Sequence, residues 1–231
     1  MEIDENSNKQ PFTVYIEGNV GAGKSTLLNY FKKFEDLLVL EEPIEKWKNL
    51  HGFNLLDLKF NDAKFQFPFQ NYATLTRLQQ HLETTDKPIK VMERSLLTAR
   101  RCFVQNIFEN GTLHAGDYHV LNEWYNFINE YHPIRCDFIV YLRTSPSVAL
   151  TRVRKRAREE EKALTDEYLL QIHNRYESLL SDPSIIPGVK LIVIDADMNS
   201  EDMISQFEQC YEEIKKSYLT SIGRPDNFIQ I

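Results

Sequence analysis

The chain reads Gly18-Asn19-Val20-Gly21-Ala22-Gly23-Lys24-Ser25-Thr26 directly after an apolar run, and it continues into Leu27, Leu28, Tyr30 and Phe31 at helical spacing. This stretch fits the pattern GxxxxGK[ST] between a strand and a helix, which is the setting of a phosphate-binding loop. Its glycines let backbone N–H groups converge on phosphate oxygens, Lys24 brings a positive charge to the β- and γ-phosphates, and Ser25 can ligate Mg²⁺. The stretch therefore predicts a purine nucleoside triphosphate site.

Apolar or β-branched runs recur along the chain and predict five strands. The runs are Phe12 to Glu17, Leu37 to Glu41, Ile89 to Glu93, Cys136 to Leu142 and Val189 to Ile194. Strands that are apolar throughout and separated by helix-length segments favour a parallel sheet with helices on both faces. We therefore expect the α/β class, and with the loop above, a P-loop NTPase fold.

Two of the intervening segments carry apolar residues three or four positions apart, as amphipathic helices do. The first pattern is Val120, Leu121, Trp124, Phe127, Ile128 and Tyr131, and the second is Met203, Ile204, Phe207, Tyr211 and Ile214. We expect both apolar faces to be buried.

Length and composition indicate one globular domain. The chain has 231 residues, of which 42% are hydrophobic, and no linker divides it, so we predict a single domain at 11–217 with tails at 1–10 and 219–231. A net charge of -7 disfavours binding to nucleic acid or to an anionic membrane. The three cysteines form no CxxC pair and read as small core residues, and the acidic start is unlike a leader, so a cytoplasmic protein is expected.

The acceptor of the phosphoryl group is suggested by the residues that end two other strands. The chain has no NKxD motif and no strand that ends in DxxG, so a GTPase is disfavoured. Strand two ends in Glu41-Glu42-Pro43 and strand three in Glu93-Arg94-Ser95. Because ligands of such sheets bind beyond the carboxyl ends of the strands, an acid and an arginine are expected in one cleft. Alternation along the strand points Glu41 away from the side of Glu42.

A basic segment follows the fourth strand. Residues Arg152, Arg154, Lys155, Arg156 and Arg158 precede three glutamates. Phosphoryl transfer needs cations on the transferred group, and a mobile lid commonly supplies them, so we predict a short arginine-rich lid.

Together these motifs resemble those of the deoxynucleoside kinases, the family of the animal thymidine kinase 2, deoxycytidine kinase and insect multisubstrate enzymes. The resemblance rests on GNVGAGKST, EEPIEKW, PFQNY, MERS, ARRCF, YLRTSP and RVRKRAREEE, in this order, and spans roughly residues 11 to 217. It implies a homodimer, joined through helices near residues 96 to 131, that moves the γ-phosphate of ATP to the 5′-hydroxyl of a deoxynucleoside with Mg²⁺. It places the chain in nucleotide salvage.

The resemblance also implies roles for single residues. Glu42 matches the catalytic base, Arg94 the arginine between acceptor and transferred phosphate, and Glu93 the Mg²⁺-associated acid. Arg152, Arg156 and Arg158 match lid positions, with Arg156 on ATP, and the main chain of Asp195, Ala196 and Asp197 is expected against adenine. Glu161 matches the acid that holds the 3′-hydroxyl.

By the same resemblance Gln70 matches the amide that reads the base, and one amide offers a donor and an acceptor side by side. In one orientation the amide can pair with thymine, and after rotation by half a turn it can pair with cytosine or adenine. Broad base specificity is therefore expected. Phe69, Phe103 and Trp47 match the aromatic walls around the base.

Four positions depart from the family patterns. Ala73, Arg77 and Ala99 combine features of the pyrimidine-preferring and the purine-accepting enzymes, and Arg77 lacks the aspartate that would pair with it. An unpaired cation in a closed pocket costs free energy, so Arg77 must find another carboxylate, contact the base or turn to solvent. Phe60 stands where a tyrosine usually shares the 3′-hydroxyl, which would leave Glu161 to hold it alone.

Two alternatives stay open at this point. A nucleoside monophosphate kinase of the thymidylate type would need extra basic residues for a second phosphate, which Glu42 would repel. A non-catalytic P-loop subunit would bind nucleotide and dock partners, although Lys24, Glu42 and Arg94 are all in place.

Overall fold

The computed structural model describes residues 10–198 and 200–231, and for residues 200 and 201 it describes the backbone only. All but the last residue of the tail expected at 1–10 therefore lies outside the described residues.

A five-stranded parallel sheet forms the centre of the protein. The strands are β1 (Phe12–Gly18), β2 (Leu37–Leu40), β3 (Ile89–Glu93), β4 (Ile134–Arg135), β5 (Phe138–Arg143), β6 (Lys190–Asp195) and β7 (Phe228–Ile229). The sheet has the order β2-β3-β1-β5-β6 and every pairing in it is parallel. The α/β fold expected from the sequence is confirmed, with strand ends within two residues of those predicted. The antiparallel pair of β4 and β7 was not predicted.

Helices cover both faces of this sheet. They are α1 (Lys24–Phe31), α2 (Ile44–Lys48), α3 (Leu55–Asn61), α4 (Gln66–Leu82), α5 (Leu96–Thr98), α6 (Gln105–Glu109), α7 (Ala115–Tyr131), α8 (Pro146–Arg156), α9 (Asp166–Leu180) and α10 (Ser200–Ser221). Short 3₁₀ turns lie at Ala63–Phe65 and Glu159–Glu161, and a π-helical segment lies at Ala99–Val104.

The core has two halves because successive side chains of a strand point to opposite faces. On β1, Val14 and Ile16 pack with residues of α1 and α10, whereas Tyr15 packs with residues of α7 and α9. The three cysteines are free and buried among these apolar side chains, as expected for small core residues. In the described ranges, no helix is both long and apolar enough to cross a membrane.

The two amphipathic helices are buried only in part, so the expectation that both apolar faces are covered was wrong for five residues. On α7, Leu121 and Ile128 are buried, but Trp124, Phe127 and Tyr131 are 51%, 44% and 58% exposed, and Val120 is exposed as well. On α10, Ile204 is exposed while the other four predicted residues are buried. The apolar face of α7 is wider than the surface that packs against the core. Trp124, Phe127 and Tyr131 therefore form an aromatic stripe on the surface.

The segment 219–231, whose order the sequence left open, is held against the rest of the chain. Helix α10 extends to Ser221, β7 pairs with β4, and Ile229 and Ile231 are 3% and 2% exposed. Asn129 on α7 exchanges hydrogen bonds of 2.9 and 3.0 Å with the backbone of Ile231. Burial of two isoleucines and this backbone pairing anchor the segment, and neither could be anticipated from its glycine and proline.

Candidate active site

A cleft of about 490 Å³ opens at the carboxyl ends of the central strands. It is lined by all eleven residues expected to contact a nucleoside, namely Glu42, Trp47, Phe60, Phe69, Gln70, Ala73, Arg77, Arg94, Ala99, Phe103 and Glu161. Val20, Gly21, Gly23, Lys24, Ser25 and Thr26 of the phosphate-binding loop line the same cleft. One cavity thus contains both the predicted phosphate-binding loop and the residues expected at a nucleoside.

The loop between β1 and α1 depends on glycine for its shape. Gly21 has φ +81°, and a Cβ atom placed on it would lie 2.5 Å from the carbonyl oxygen of Ala149. Behind the loop, the Asn19 side chain accepts a hydrogen bond of 2.8 Å from the backbone N–H of Val20 and donates one of 2.8 Å to the carbonyl of Leu169. Gly18, Asn19 and Ala22 therefore support the loop from behind, outside the cleft lining.

The carboxylate of Glu42 is held by two arginines. Its Oε1 atom lies 2.5 Å from Arg77 Nη2 and 2.6 Å from Arg94 Nη1. Burial would raise the pKa of Glu42, but the charges of Arg94 and Arg77 outweigh it and hold this pKa well below its usual range. The neighbouring Glu41 instead pairs with Lys32 at 2.5 Å, outside the cleft lining, as strand alternation predicted.

Arg94 has an unusual backbone that aims its side chain into the cleft. Its φ is +62°, which is uncommon for a residue with a side chain, and its N–H donates to the carbonyl of Ile16 at 3.0 Å. The next residue is fixed by the fully buried Glu17, whose carboxylate accepts a 2.8 Å hydrogen bond from the N–H of Ser95. The guanidinium of Arg94 also lies 4.9 Å from the ring centre of Phe103.

Lys24 and Glu93 meet on the floor of the cleft. Lys24 Nζ donates to the Asn19 carbonyl at 2.8 Å and lies 3.8 Å from Glu93 Oε1. Burial and the nearby charge of Arg94 lower the pKa of Lys24 to about 7, whereas burial and Glu42 raise the pKa of Glu93. Ser25 and Glu93 offer hard oxygen donors at the cleft, the kind that Mg²⁺ takes beside substrate phosphates.

Aromatic and small residues form the deeper part of the cleft. The rings of Trp47 and Phe69 meet edge to face at 5.5 Å, and Trp47 Nε1 donates to Thr76 Oγ1 at 2.9 Å. The buried Gln70 amide finds no hydrogen-bond partner within the described part of the chain, so it is free to read a ligand. Ala73 is small and leaves room beside it.

The predicted lid is the end of α8 together with the 3₁₀ turn that follows. Arg156 donates two short hydrogen bonds, of 2.5 and 2.6 Å, to the carboxylate of Glu161, and Arg158 lies 3.6 Å from the same group. Arg152 differs from these two because it does not line the cleft and donates to the carbonyl of Met198 at 3.3 Å.

The segment expected against adenine lies near Arg152, outside the cleft lining. Asp197 accepts a 2.9 Å hydrogen bond from the N–H of Ser145, at the start of α8, and the N–H of Ala196 donates to the Arg143 carbonyl at 2.8 Å. Asp195 ends β6 and accepts from the N–H of Asp197 at 3.1 Å.

Lys59 and Tyr168 also line the cleft and were not anticipated. Lys59 Nζ lies 3.9 Å from the ring centre of Phe69, and burial lowers the pKa of Lys59 to about 7. Lys59 is three residues after Leu56 and four after Leu55, so helical spacing could have placed it on the inward face of α3. Tyr168 lies in the first turn of α9, where its N–H donates to the hydroxyl of the capping residue Thr165 at 3.1 Å, and it had no comparable signal.

Comparison with known proteins identifies the family of the chain. The family described as Deoxynucleoside kinase matches residues 14–222, which is almost the whole chain. This chain belongs to the deoxynucleoside kinase family. Its members phosphorylate deoxynucleosides and use ATP as the phosphate donor. The family assignment confirms the resemblance found in the sequence and favours it over the thymidylate-type and non-catalytic alternatives.

Individual relatives within the deoxynucleoside kinases share about a third of their residues with the chain. The Homo sapiens protein named "Thymidine kinase 2, mitochondrial" is 38% identical over 212 residues, which cover 91% of this chain and 80% of the relative. The Gallus gallus "Deoxycytidine kinase 2" is 30% identical over 95% of each chain. The Homo sapiens "Deoxycytidine kinase" is 28% identical over 88% of this chain and 89% of its own length.

Proposed function

We propose that this deoxynucleoside kinase moves the γ-phosphate of ATP to the 5′-hydroxyl of both pyrimidine and purine deoxynucleosides. The observation that carries the proposal is the cleft itself, in which Glu42 and the phosphate-binding Lys24 line one continuous cavity. A catalytic domain at 11–217 and a role in nucleotide salvage are part of the proposal.

Glu42 serves as the base that orients the 5′-hydroxyl and takes its proton. A carboxylate kept ionised by Arg77 and Arg94 is a weak base, so its main contribution is to fix the direction of the hydroxyl oxygen. Arg94 reaches from this carboxylate toward the loop, where its Nη2 atom is 3.4 Å from the carbonyl of Gly18. It is thus placed to stabilise charge on the group in transit.

The phosphate end of the site uses cations from three elements. Lys24 comes from the loop, and Arg156 and Arg158 come from the lid. Mg²⁺, held by Ser25 with Glu93 close by, would neutralise charge on the β- and γ-phosphates. A bound phosphate would raise the pKa of Lys24 again, because an anion beside the buried ammonium favours its charged form. Arg152 and the backbone of 195–197 would border the adenine of ATP.

Base specificity follows from Gln70 and the space around it. The unpaired amide of Gln70 can present either orientation, and Phe69, Phe103 and Trp47 supply apolar faces for stacking. Ala73 leaves room for a second ring, and Arg77 is drawn away from the base by its pairing with Glu42. These features support the acceptance of purines as well as pyrimidines.

Two wider properties belong to the proposal. The exposed stripe of Trp124, Phe127 and Tyr131 on α7 supports a homodimer, because an aromatic surface of this kind is commonly covered by a partner. A cytoplasmic location was expected from the composition, but the name of the human relative includes "mitochondrial", so the family does not support one compartment over the other.

A direct assay tests the function. The full chain is incubated with ATP, Mg²⁺ and each of the four deoxynucleosides, and the 5′-monophosphate and ADP are separated by chromatography. We expect both products with pyrimidine and purine substrates and neither with 5′-deoxythymidine, which lacks the accepting hydroxyl. Turnover of thymidine 5′-monophosphate in place of thymidine would contradict the proposal.

A further inference from the structure

Lys59 introduces a cation into the part of the cleft that was expected to be aromatic. It lies on α3, and its Nζ atom is 3.9 Å from the ring centre of Phe69 and 4.5 Å from that of Phe60. The ammonium therefore covers one face of the Phe69 ring in the cleft. A base that stacks on this face must move the ammonium aside.

The surroundings of Lys59 leave its donors unused. Within the described ranges, its ammonium has no hydrogen bond and no ion pair, and it makes only the two ring contacts. Glu42 and Glu161 attract it, whereas Arg77 and Arg94 repel it. A partly buried ammonium with three free donors needs an acceptor, and a ligand can supply one.

The direction in which Lys59 can move is set by those charges. Glu42 is held at 2.5 and 2.6 Å by Arg77 and Arg94, the two cations that repel Lys59. Glu161 is held instead by Arg156 and Arg158 of the lid. The remaining acid that faces Lys59 is Glu161, on the 3₁₀ turn against which α3 packs. A displaced ammonium therefore shifts toward Glu161.

We propose that Lys59 is a specificity-determining residue that donates a hydrogen bond to the 3′-oxygen of the deoxyribose, beside Glu161. The inference rests on the proposed function, because it needs a nucleoside in the cleft. A hydroxyl can donate its proton to the Glu161 carboxylate and accept from the Lys59 ammonium at the same time. Phe60 has no hydroxyl, so Lys59 supplies the donor that this neighbour lacks.

If Lys59 makes this hydrogen bond, the preference of the enzyme for substrates with a 3′-hydroxyl should depend on Lys59. A hydrogen bond to a charged group is worth about 10- to 100-fold in binding. Lys59→Met should therefore lower kcat/KM for thymidine by about 10-fold or more, mainly through KM, while leaving kcat/KM for 3′-deoxythymidine within about twofold. Lys59→Arg, which keeps a charged donor, should restore most of the loss.

The experiment measures kcat/KM for thymidine and 3′-deoxythymidine in the wild-type chain, in both Lys59 variants and in Lys64→Met. Lys64 is the matched control, because it is exposed, pairs with Asp62 at 2.5 Å and does not line the cleft. A thermal unfolding midpoint for each variant separates loss of fold from loss of contact.

Three results would overturn the inference. An equal loss on both substrates would place Lys59 at the base or in the packing of Phe69. A higher kcat/KM on both substrates would show that the ammonium only obstructs stacking of the base. An unchanged kcat/KM on both would show that Lys59 does not contact the nucleoside. In all three cases the wild-type chain still phosphorylates thymidine, so the proposed function stands. If the wild-type chain releases no ADP in response to a nucleoside, the proposed function itself is refuted.

Discussion

Arg77 Nη2 lies 2.5 Å from Glu42 Oε1, so the arginine that had no aspartate partner in the sequence is paired with the proposed catalytic base. Its guanidinium also lies 5.1 Å from the Trp47 ring and is buried. Of the three outcomes open to Arg77, the structure shows the first, another carboxylate. We therefore expect Arg77 to act on the charge of Glu42 more than on the identity of the base.

The pairing of Arg77 with Glu42 predicts how Arg77→Met changes the dependence of kcat/KM on pH. Glu42 must be ionised to accept a proton, and its pKa lies well below the usual range because Arg94 and Arg77 favour the charged form. Removing one of the two cations raises this pKa, so the acid limb of kcat/KM moves to higher pH. The measurement is thymidine phosphorylation from about pH 3 to 8, in which the acid limb of the variant should begin at a higher pH than that of the wild type. Arg77→Lys keeps the charge and should shift the limb less, and identical limbs in wild type and Arg77→Met would show that Arg77 does not set this pKa.

Glu42→Gln tests the proposed base itself. The amide cannot take the proton, and it loses the charged contacts with Arg77 and Arg94 that fix its position beside the hydroxyl. We therefore expect kcat to fall by at least about 100-fold, while the dissociation constant of the nucleoside changes little. Glu41→Gln is the matched control, since Glu41 pairs with Lys32 outside the cleft lining. Near-normal turnover in the Glu42 variant, or an equal loss in the Glu41 variant, would remove Glu42 from this role.

The sequence predicted those features that local patterns determine. The run from β1 through the loop into α1 is a contiguous motif, and the four other strands of the sheet were apolar along their length, so both were placed within two residues. The rule that parallel strands end at one edge of the sheet then brought Glu42, Glu93 and Arg94 together with Lys24.

The features that the sequence did not predict depend on contacts between distant residues. The pairing of Arg77 with Glu42 joins α4 to the end of β2, and the pairing of β4 with β7 joins segments about ninety residues apart. A two-residue strand has too short a pattern to be recognised. Lys59 has the polar character of a surface residue, and its helical spacing from Leu55 and Leu56 is a weak signal that the packing of α3 makes visible.

The aromatic stripe of α7 predicts the effect of Trp124→Glu on assembly. Trp124 and Phe127 meet at 6.2 Å and are about half exposed, so a charge placed there would be costly to bury in a dimer. We expect the wild-type chain to sediment as a dimer and the variant as a monomer. Ile204→Glu is the control, because Ile204 is equally exposed but lies on α10. A monomeric wild type, or dissociation by both variants, would contradict an interface at α7.

Gly21→Ala should cost more stability than Gly111→Ala, because only the first adds a steric clash to backbone strain. The two glycines have φ of +81° and +77°, but a Cβ atom at Gly21 would meet the Ala149 carbonyl at 2.5 Å, whereas at Gly111 it meets nothing within 4 Å. The conformation alone should cost each variant about 1 kcal/mol, and the clash should add about 1 to 3 kcal/mol at Gly21. Urea denaturation gives both free energies of unfolding. Equal losses would mean that α8 moves away without cost and that glycine is needed at position 21 only for its φ.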